Sequence, residues 1–179
     1  MTVWTLRHPP VDRGGRCVGQ ARLETTVSAE DAAREVMERA PFTPVRLYSS
    51  DQPRCADLAE RLSAAWSVPL DKTSALREMS FGEWDGRSYD EIDAADGERW
   101  RAWCADWRHQ TPPGGESVDD FVERIESWLR TQTPDSETLL VTHAGVIRVL
   151  QVLCGAGWSV AMATEHPYLG WTQHSIAST

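Results

Sequence analysis

The sequence predicts one α/β domain over its 179 residues, folded as a three-layer α/β/α sandwich with a mainly parallel central sheet and a partly helical inserted cap. Two observations predict this class. Short apolar runs alternate with segments of helical periodicity, and the runs are apolar almost throughout, as strands are when both faces of a parallel sheet are covered. A chain of this length can also bury roughly two-thirds of its unfolded surface in one core.

Five segments are predicted to form the strands. The first four are short and rich in aliphatic and β-branched residues, which favour strands, and a last strand is expected near the C-terminus. In chain order they are residues 3–6, 45–48, 68–70, 139–142 and 171–176. Because helical segments separate the first four, these are expected to pair mainly in parallel.

Four segments with apolar periodicity are predicted to be helices, at residues 28–39, 53–66, 117–131 and 146–154. The first begins at Ser28, a good N-cap, with Asp31 placed to complete a capping box, and it stops before Pro41. The third carries a clear amphipathic stripe, whereas the fourth is apolar on most faces and is expected to be buried.

Residues 77–115 differ from the rest and are interpreted as a partly helical insert that caps one edge of the sheet. They are rich in Trp, Asp, Arg and Gly, and their periodicity is weak until residues 100–107. Trp100, Trp103 and Trp107 are spaced i, i+3 and i+7, on one helix face. This spacing favours burial of the insert against the domain, with an aromatic wall for a bound ring system as the alternative.

Composition and charge restrict the classes of partner. The net charge of −9 disfavours nucleic acid and anionic membranes, and no segment approaches the roughly 20 apolar residues of a membrane span. The N-terminus has no cationic region leading into a long apolar core, so no signal peptide is predicted. Cys17, Cys55, Cys104 and Cys154 form no CxxC pair, which favours free thiols in a reducing cytoplasm. A cytoplasmic protein of open oligomeric state is expected.

Polar residues stand at the ends of three predicted strands. Arg7 and His8 end the first, Ser49 and Ser50 end the second, and His143 follows the fourth. Ligands of open α/β sheets collect at the carboxyl ends of the strands. We therefore expect these residues to meet at one edge of the sheet.

The residue types at that edge suit an anionic ligand. A neutral imidazole is a nucleophile near pH 7, and Arg7 can hold the anion that His8 attacks. Gly145 follows His143 where a strand runs into a helix, whose N-terminal N–H groups favour anions. Both Arg7-His8 and His143 with Gly145 also have a purely structural interpretation. For Arg7-His8 taken alone, a hydrogen-bonded strand end is the favoured interpretation, because short motifs recur by chance.

Two further charged residues add to this prediction. Arg54 lies in the first turn of a predicted helix, where a cation is unfavourable, so either a function or an ion pair with Asp51 or Asp57 must explain it. Glu78 lies at the start of the insert, where a carboxyl group facing the site could donate a proton; the alternative is a solvated loop. The convergence of two histidines, two arginines and a carboxylate favours a functional site.

In these residues the sequence resembles the histidine phosphatase superfamily, also called the phosphoglycerate mutase-like fold, from residue 6 to about residue 155. Five anchors follow one another in the order and spacing of the family. They are Arg7-His8; Ser49-Ser50 with Arg54; Leu76-Arg77-Glu78 with residues 81–86; Gly114-Gly115-Glu116-Ser117 with Arg124; and Thr142-His143-Ala144-Gly145.

The resemblance implies a phosphatase that acts on a small-molecule phosphate monoester through a phosphohistidine on His8. Arg7, Arg54 and His143 would bind the phosphoryl oxygens, with His143 a member of the catalytic set. Glu78 would be the general acid and then the base that activates water. No metal and no other cofactor is implied, because the guanidinium groups and the second histidine can carry the charge that Mg²⁺ carries elsewhere.

Departures from the family pattern favour a phosphatase over a phosphomutase. Pro9 stands where the family usually has glycine, so a backbone N–H is lost, and Leu58 replaces a frequent threonine. The asparagine of the mutases' first loop is absent. Residues 16–20 of that loop are similar to the alpha-ribazole phosphatase branch, with Arg16 as a candidate additional phosphate contact.

Three alternatives remain at this point. A phosphomutase would keep its phosphohistidine away from water, and a non-catalytic protein would bind a phosphorylated ligand with the same pocket. Metal-dependent hydrolysis is the weakest alternative, because no HExxH-type spacing occurs.

Overall fold

The computed structural model describes residues 2–132 and 134–176. These residues form a five-stranded sheet whose strands are β1 (Thr2–Arg7), β2 (Arg46–Ser50), β3 (Leu70–Thr73), β4 (Thr138–Thr142) and β5 (Trp171–Ser175). The order is β3-β2-β4-β1-β5, with only β5 antiparallel to its neighbour. The predicted mainly parallel sheet is confirmed.

Six α-helices accompany the sheet in the described residues. They are α1 (Ala29–Glu38), α2 (Pro53–Trp66), α3 (Tyr89–Ala105), α4 (Val118–Gln132), α5 (Ala144–Leu153) and α6 (Trp158–Ala163). None of the helices in this part of the chain is long and apolar enough to cross a membrane. Single turns of 3₁₀ helix occur at Ser74–Leu76 and Gly82–Trp84.

Two apolar cores lie on opposite faces of the sheet, as the predicted three layers require. Leu139 and Val141 of β4 pack in the core that contains residues of α1 and α2. Leu140, between them, packs in the other core with residues of α4 and α5. Successive side chains of a strand point to opposite faces, so β4, which is buried throughout, separates the two helical layers.

The third strand lies later in the chain than predicted. The prediction of residues 68–70 overlaps the observed β3 only at Leu70, which pairs with Leu47 of β2. The strand forms one edge of the sheet, and its residues are half-buried or exposed, so no apolar run marks it. Val68, which drew the prediction, packs against the core just before the strand begins.

The insert contains more helix than the sequence indicated. Helix α3 begins at a complete capping box, in which Ser88 and Glu91 each accept a hydrogen bond from the other's backbone N–H. The helix is kinked at Asp96, which interrupts its periodicity. Trp107 lies beyond the end of α3, so placing it on one helix face with Trp100 and Trp103 was wrong.

A buried histidine in β5 should make the stability of the protein depend on pH. His174 Nε2 lies 3.0 Å from Thr5 Oγ1, and burial lowers the pKa of His174 from 6.5 to about 4. The unfolded chain therefore protonates His174 at a higher pH than the folded chain does. The contribution of the neutral, buried His174 to the free energy of unfolding is thus complete above about pH 6.5 and is lost as the pH falls towards 4.

We expect His174 to lower the unfolding free energy by about 2 kcal/mol between pH 7 and pH 5. Urea unfolding followed by tryptophan fluorescence at both pH values measures the loss. The variant His174→Gln should lose correspondingly less stability over this interval. An equal loss in the variant and the unmodified protein would contradict the assignment.

Candidate active site

A cavity of about 560 Å³ opens at the carboxyl ends of β1 and β4. Four of the predicted site residues line it, and His143 does not. The polar and charged lining residues are Arg7, His8, Arg13, Cys17, Arg54, Glu78, Tyr89, Cys104, Arg148 and Tyr168. Four arginines therefore face the cavity with one carboxylate, in a protein whose net charge is −9, so the local charge favours an anion.

His8 follows β1, where its backbone N–H donates to the Thr142 carbonyl at 3.0 Å. The side chain is buried, and Nδ1 lies 2.7 Å from the Pro9 carbonyl oxygen. A carbonyl only accepts, so the proton is on Nδ1 and the lone pair is on Nε2. Burial, and next the charge of Arg54, lower the pKa of His8 to about 3. The ring is therefore neutral near pH 7, as a nucleophile requires.

Pro9 was noted as a departure because it removes a backbone N–H. In the structure its carbonyl, rather than an N–H, contacts His8 and holds the ring in one tautomer. The departure is therefore compatible with a nucleophilic His8.

Arg54 is a buried cation in the first turn of α2, with 3% of its surface exposed. Its Nη atoms donate to the carbonyls of Ala21 (2.9 Å) and Gly19 (2.7 Å). The predicted alternative, an ion pair of Arg54 with Asp51 or Asp57, does not occur among the described residues, and Asp51 is bound instead by Arg77 at 2.6 Å. Carbonyls orient the guanidinium without neutralising its charge, so Arg54 remains available to an anion in the cavity.

His143 is fully buried next to His8, with 5.1 Å between the ring centroids. Arg54 Nε donates to His143 Nδ1 at 3.3 Å, and His143 Nε2 lies 2.9 Å from Ser50 Oγ. Because Nδ1 accepts a hydrogen bond, the proton of the neutral ring is on Nε2. Burial, and next the repulsion that a protonated His8 would exert, hold the pKa of His143 well below its usual value.

Arg7 lies at the end of β1 with its guanidinium carbon 3.9 Å from the centroid of the Tyr168 ring. Its Nη1 donates to the His166 carbonyl, while its buried Nε has no hydrogen-bond partner. Burial lowers the pKa of Arg7 from its ordinary value, although the group remains charged. Arg7 lines the cavity, so its positive charge is suited to an anionic ligand there.

Glu78 is positioned by two backbone N–H groups, those of Met79 and Gly145, each at 3.1 Å from a carboxylate oxygen. Gly145 lies in the first turn of α5, and a Cβ atom there would overlap Glu78 Oε1. Glycine at this position therefore permits the close approach of the backbone to Glu78. Glu78 also lines the cavity, so its carboxyl group can exchange a proton with a ligand there.

Arg16 does not line the cavity, so its prediction as an additional phosphate contact finds no support. Its side chain is exposed and donates to the Gly86 carbonyl at 3.2 Å. Arg13 of the same loop lines the cavity instead and donates to the Tyr89 hydroxyl at 3.3 Å. The contacts that the loop makes with residues 85–89 decide which of the two arginines faces inward.

Two further lining residues were missed from the sequence, Arg148 and Tyr168. Arg148 is the only charged residue of α5, and a single cation in an otherwise mostly apolar helix could have indicated that Arg148 belongs to the site. Tyr168 lies in the segment after residue 155, which has no pattern that marks its contacts.

Trp100 and Trp103 pack the insert, as the favoured interpretation of the tryptophans predicts, and they also line the cavity, as the alternative requires. These rings stack on each other at 5.6 Å and contact the buried Trp84 edge-on, at 5.2 and 6.2 Å. They line the cavity together with Trp107. One set of side chains therefore packs the insert and forms an aromatic wall.

Comparison with known proteins agrees with this geometry. The family model of the histidine phosphatase superfamily (branch 1) matches residues 3–177. The chain is 28% identical over 158 residues to the adenosylcobalamin/alpha-ribazole phosphatase of Salmonella typhimurium, covering 84% of this chain and 77% of the relative. It is 32% identical over 164 residues to the glucosyl-3-phosphoglycerate phosphatase of Mycobacterium tuberculosis, covering 81% and 71%.

Solved structures support the fold. The alpha-ribazole phosphatase of Shigella flexneri superimposes with a TM-score of 0.82 at 24% identity, covering 97% of this chain and 89% of that one. A mycobacterial glucosyl-3-phosphoglycerate phosphatase in complex with inorganic phosphate gives 0.77 at 28% identity, with 96% and 88% covered. The predicted α/β fold class is confirmed.

Proposed function

Because the chain belongs to the histidine phosphatase superfamily, we propose that it hydrolyses small-molecule phosphate monoesters through a phosphohistidine intermediate on His8. The enzyme class, a phosphoric monoester hydrolase, follows from the family and from relatives that are named phosphatases. The observation that supports His8 as the nucleophile is its buried neutral ring, with Nδ1 held 2.7 Å from the Pro9 carbonyl and Nε2 left with the lone pair.

In the first step the phosphoryl oxygens lie against Arg7 and Arg54, and His8 Nε2 attacks phosphorus in line with the leaving oxygen. The N–P bond forms as the P–O bond to the alcohol breaks, and Glu78 gives its proton to the departing oxygen. The guanidinium groups stabilise the charge that the phosphoryl oxygens carry in the transition state.

In the second step water replaces the alcohol. The Glu78 carboxylate, now without its proton, accepts one from the water as the water oxygen attacks phosphorus. The N–P bond breaks, which releases inorganic phosphate and returns His8 to its neutral form with its lone pair on Nε2. Each group ends in the protonation state in which it began.

His143 is assigned to the phosphate site through its contact with Arg54. The 3.3 Å hydrogen bond from Arg54 Nε to His143 Nδ1 is long, so a phosphoryl oxygen can take the place of His143 Nδ1 as the acceptor from Arg54. For His143 itself to donate to the phosphate, its proton moves from Nε2 to Nδ1, and the Ser50 hydroxyl, 2.9 Å from Nε2, then donates to Nε2.

For the substrate we take alpha-ribazole 5′-phosphate as the first candidate. The similar proteins include phosphatases named for alpha-ribazole and for glucosyl-3-phosphoglycerate, which differ in the alcohol they release. Alpha-ribazole carries a planar aromatic base, and the wall of Trp100, Trp103 and Trp107 suits a planar apolar group better than it suits a sugar acid.

The test is a comparison of kcat/KM for alpha-ribazole 5′-phosphate, glucosyl-3-phosphoglycerate and 3-phosphoglycerate, in the presence of EDTA. We expect one inorganic phosphate for each alcohol released, and at least about a tenfold preference for alpha-ribazole 5′-phosphate. Phosphoryl transfer between phosphoglycerates without release of inorganic phosphate would instead establish the phosphomutase alternative.

A further inference from the structure

The segment between α6 and β5 holds Arg7 through four contacts. The His166 carbonyl accepts a hydrogen bond from Arg7 Nη1, and the Tyr168 ring lies against the guanidinium. The Leu169 N–H donates to the Arg7 carbonyl at 3.1 Å, and the Arg7 N–H donates to the Gly170 carbonyl at 3.2 Å. One short stretch, distant in sequence, therefore fixes both the backbone and the side chain of Arg7.

This segment contains a tight turn with one residue in an unfavourable backbone conformation. The Gly170 N–H donates to the Pro167 carbonyl at 3.1 Å, which closes a four-residue turn. Leu169 occupies the third position with a φ of 56°, in the left-handed region that favours glycine or asparagine. Backbone strain of this kind persists where surrounding contacts compensate for it, and it often marks a functional position.

The turn sends two successive side chains to different places. Leu169 is buried in the core that contains residues of α1 and α2, whereas Tyr168 lines the cavity. The guanidinium carbon of Arg7 lies over the Tyr168 ring, 3.9 Å from its centroid. The His8 ring lies 5.5 Å from the same ring, tilted by 55°. Tyr168 therefore contacts both groups that we assign to the phosphate end of the cavity.

An aromatic partner stabilises the Arg7 cation without neutralising it. None of the ion pairs among the described residues includes Arg7. The negative face of an aromatic ring attracts a cation at this distance, and more strongly where water is excluded, as it is in part around the half-buried Arg7. A carboxylate would instead compete with phosphoryl oxygens for the N–H groups. A contact through the guanidinium carbon leaves the N–H groups at its periphery free to bind those oxygens.

We propose that Tyr168 is a positioning residue of the phosphate site. Its ring face holds the Arg7 guanidinium in the orientation that binds a phosphoryl oxygen, and the turn at Leu169 places the ring there. This inference rests on the proposed function, because it takes Arg7 as a ligand of the phosphate. Tyr168 acts through Arg7 and exchanges no proton with the substrate.

The test uses Tyr168→Leu and Tyr168→Met, which remove the ring but keep an apolar side chain, and Tyr168→Phe, which keeps the ring. The probe is inorganic phosphate, through its inhibition constant against phenyl phosphate, because it occupies the phosphoryl site without an alcohol. In the first two variants we expect this constant to rise, and kcat/KM to fall, about tenfold. Tyr168→Phe should restore both values to within about twofold.

A double-mutant cycle with Arg7→Gln separates the positioning of Arg7 from a general loss of packing. Without a guanidinium to hold, the further change Tyr168→Leu should weaken phosphate binding by less than about twofold. Isothermal titration calorimetry measures this binding where turnover is too slow. Phe42→Leu is the matched control. Phe42 is also a half-buried ring, but it packs on Trp4 and Trp171 and does not line the cavity, so its loss should leave phosphate binding unchanged.

Any of four results would overturn the inference. They are an unchanged inhibition constant in Tyr168→Leu, an equal loss in Tyr168→Phe, an equal loss in Phe42→Leu, and the same loss with Arg7→Gln present as without it. The proposed function is judged separately by His8→Asn with phenyl phosphate. Loss of activity there supports hydrolysis at His8 whatever Tyr168 does, and retained activity rejects it.

Discussion

His8→Asn is expected to lower kcat for every phosphate monoester by roughly 10⁴-fold or more, because it removes the group that forms the covalent intermediate. Asparagine can place its amide N–H near the position of His8 Nδ1, which lies 2.7 Å from the Pro9 carbonyl. The variant should therefore fold normally, with an unchanged thermal unfolding midpoint.

The measurement combines steady-state phosphate release with an acid-labile, base-stable phosphoprotein trapped in a single turnover. The unmodified protein should give the phosphohistidine with EDTA present, and His8→Asn should not. His109→Asn is a suitable control, since His109 is exposed, contacts Asp106 at 2.8 Å and does not line the cavity. Normal turnover in His8→Asn, or loss of activity in EDTA, would contradict the mechanism.

Glu78→Gln should slow the reaction in proportion to how poorly the alcohol leaves. A general acid matters most when the departing oxygen would otherwise carry a full charge. We expect kcat to fall roughly 10²- to 10⁴-fold for alkyl phosphates and less than about tenfold for aryl phosphates. Steady-state rates over a series of leaving groups of increasing pKa measure this dependence.

Two further variants test whether the effect of Glu78→Gln comes from the carboxyl group of Glu78 and from its position. Glu83→Gln changes an exposed carboxylate of the same loop and should have no effect. In Gly145→Ala the added methyl group would overlap Glu78 Oε1 and displace it, so the dependence on leaving group seen for Glu78→Gln should recur. Equal losses for aryl and alkyl phosphates would argue that Glu78 is not the proton donor.

The environment of His8 illustrates how the fold prepares a nucleophile. An exposed imidazole is partly protonated near pH 7, and the protonated form has no lone pair to attack with. Burial and the nearby Arg54 together hold the pKa of His8 at about 3. The arginine that we propose to bind the phosphate therefore also helps to keep His8, the proposed nucleophile, in its neutral form.

Much of the candidate site could be predicted because its residues stand at positions that local sequence marks. Arg7, His8 and His143 directly follow or end apolar strands, and Gly145 opens a buried helix. The carboxyl ends of parallel strands must lie at one edge of the sheet, so identifying the strands was enough to bring these residues together.

Other features were beyond prediction because they depend on contacts between distant segments. The position of β3 is set by pairing with β2, since its own residues are too polar to mark an edge strand. Whether Arg13 or Arg16 lines the cavity depends on how the first loop contacts residues 85–89, and the local sequence does not mark which of the two faces inward.

The sequence by itself determined the fold class, the family and the group of residues at the strand ends, because apolar periodicity and strand termini are short-range signals. Only the tertiary structure decided that His143 is buried next to His8, that the Pro9 carbonyl selects the tautomer of His8, and that Trp100 and Trp103 both pack the insert and line the cavity. These properties depend on burial and on hydrogen-bond partners, which arise when distant segments pack together.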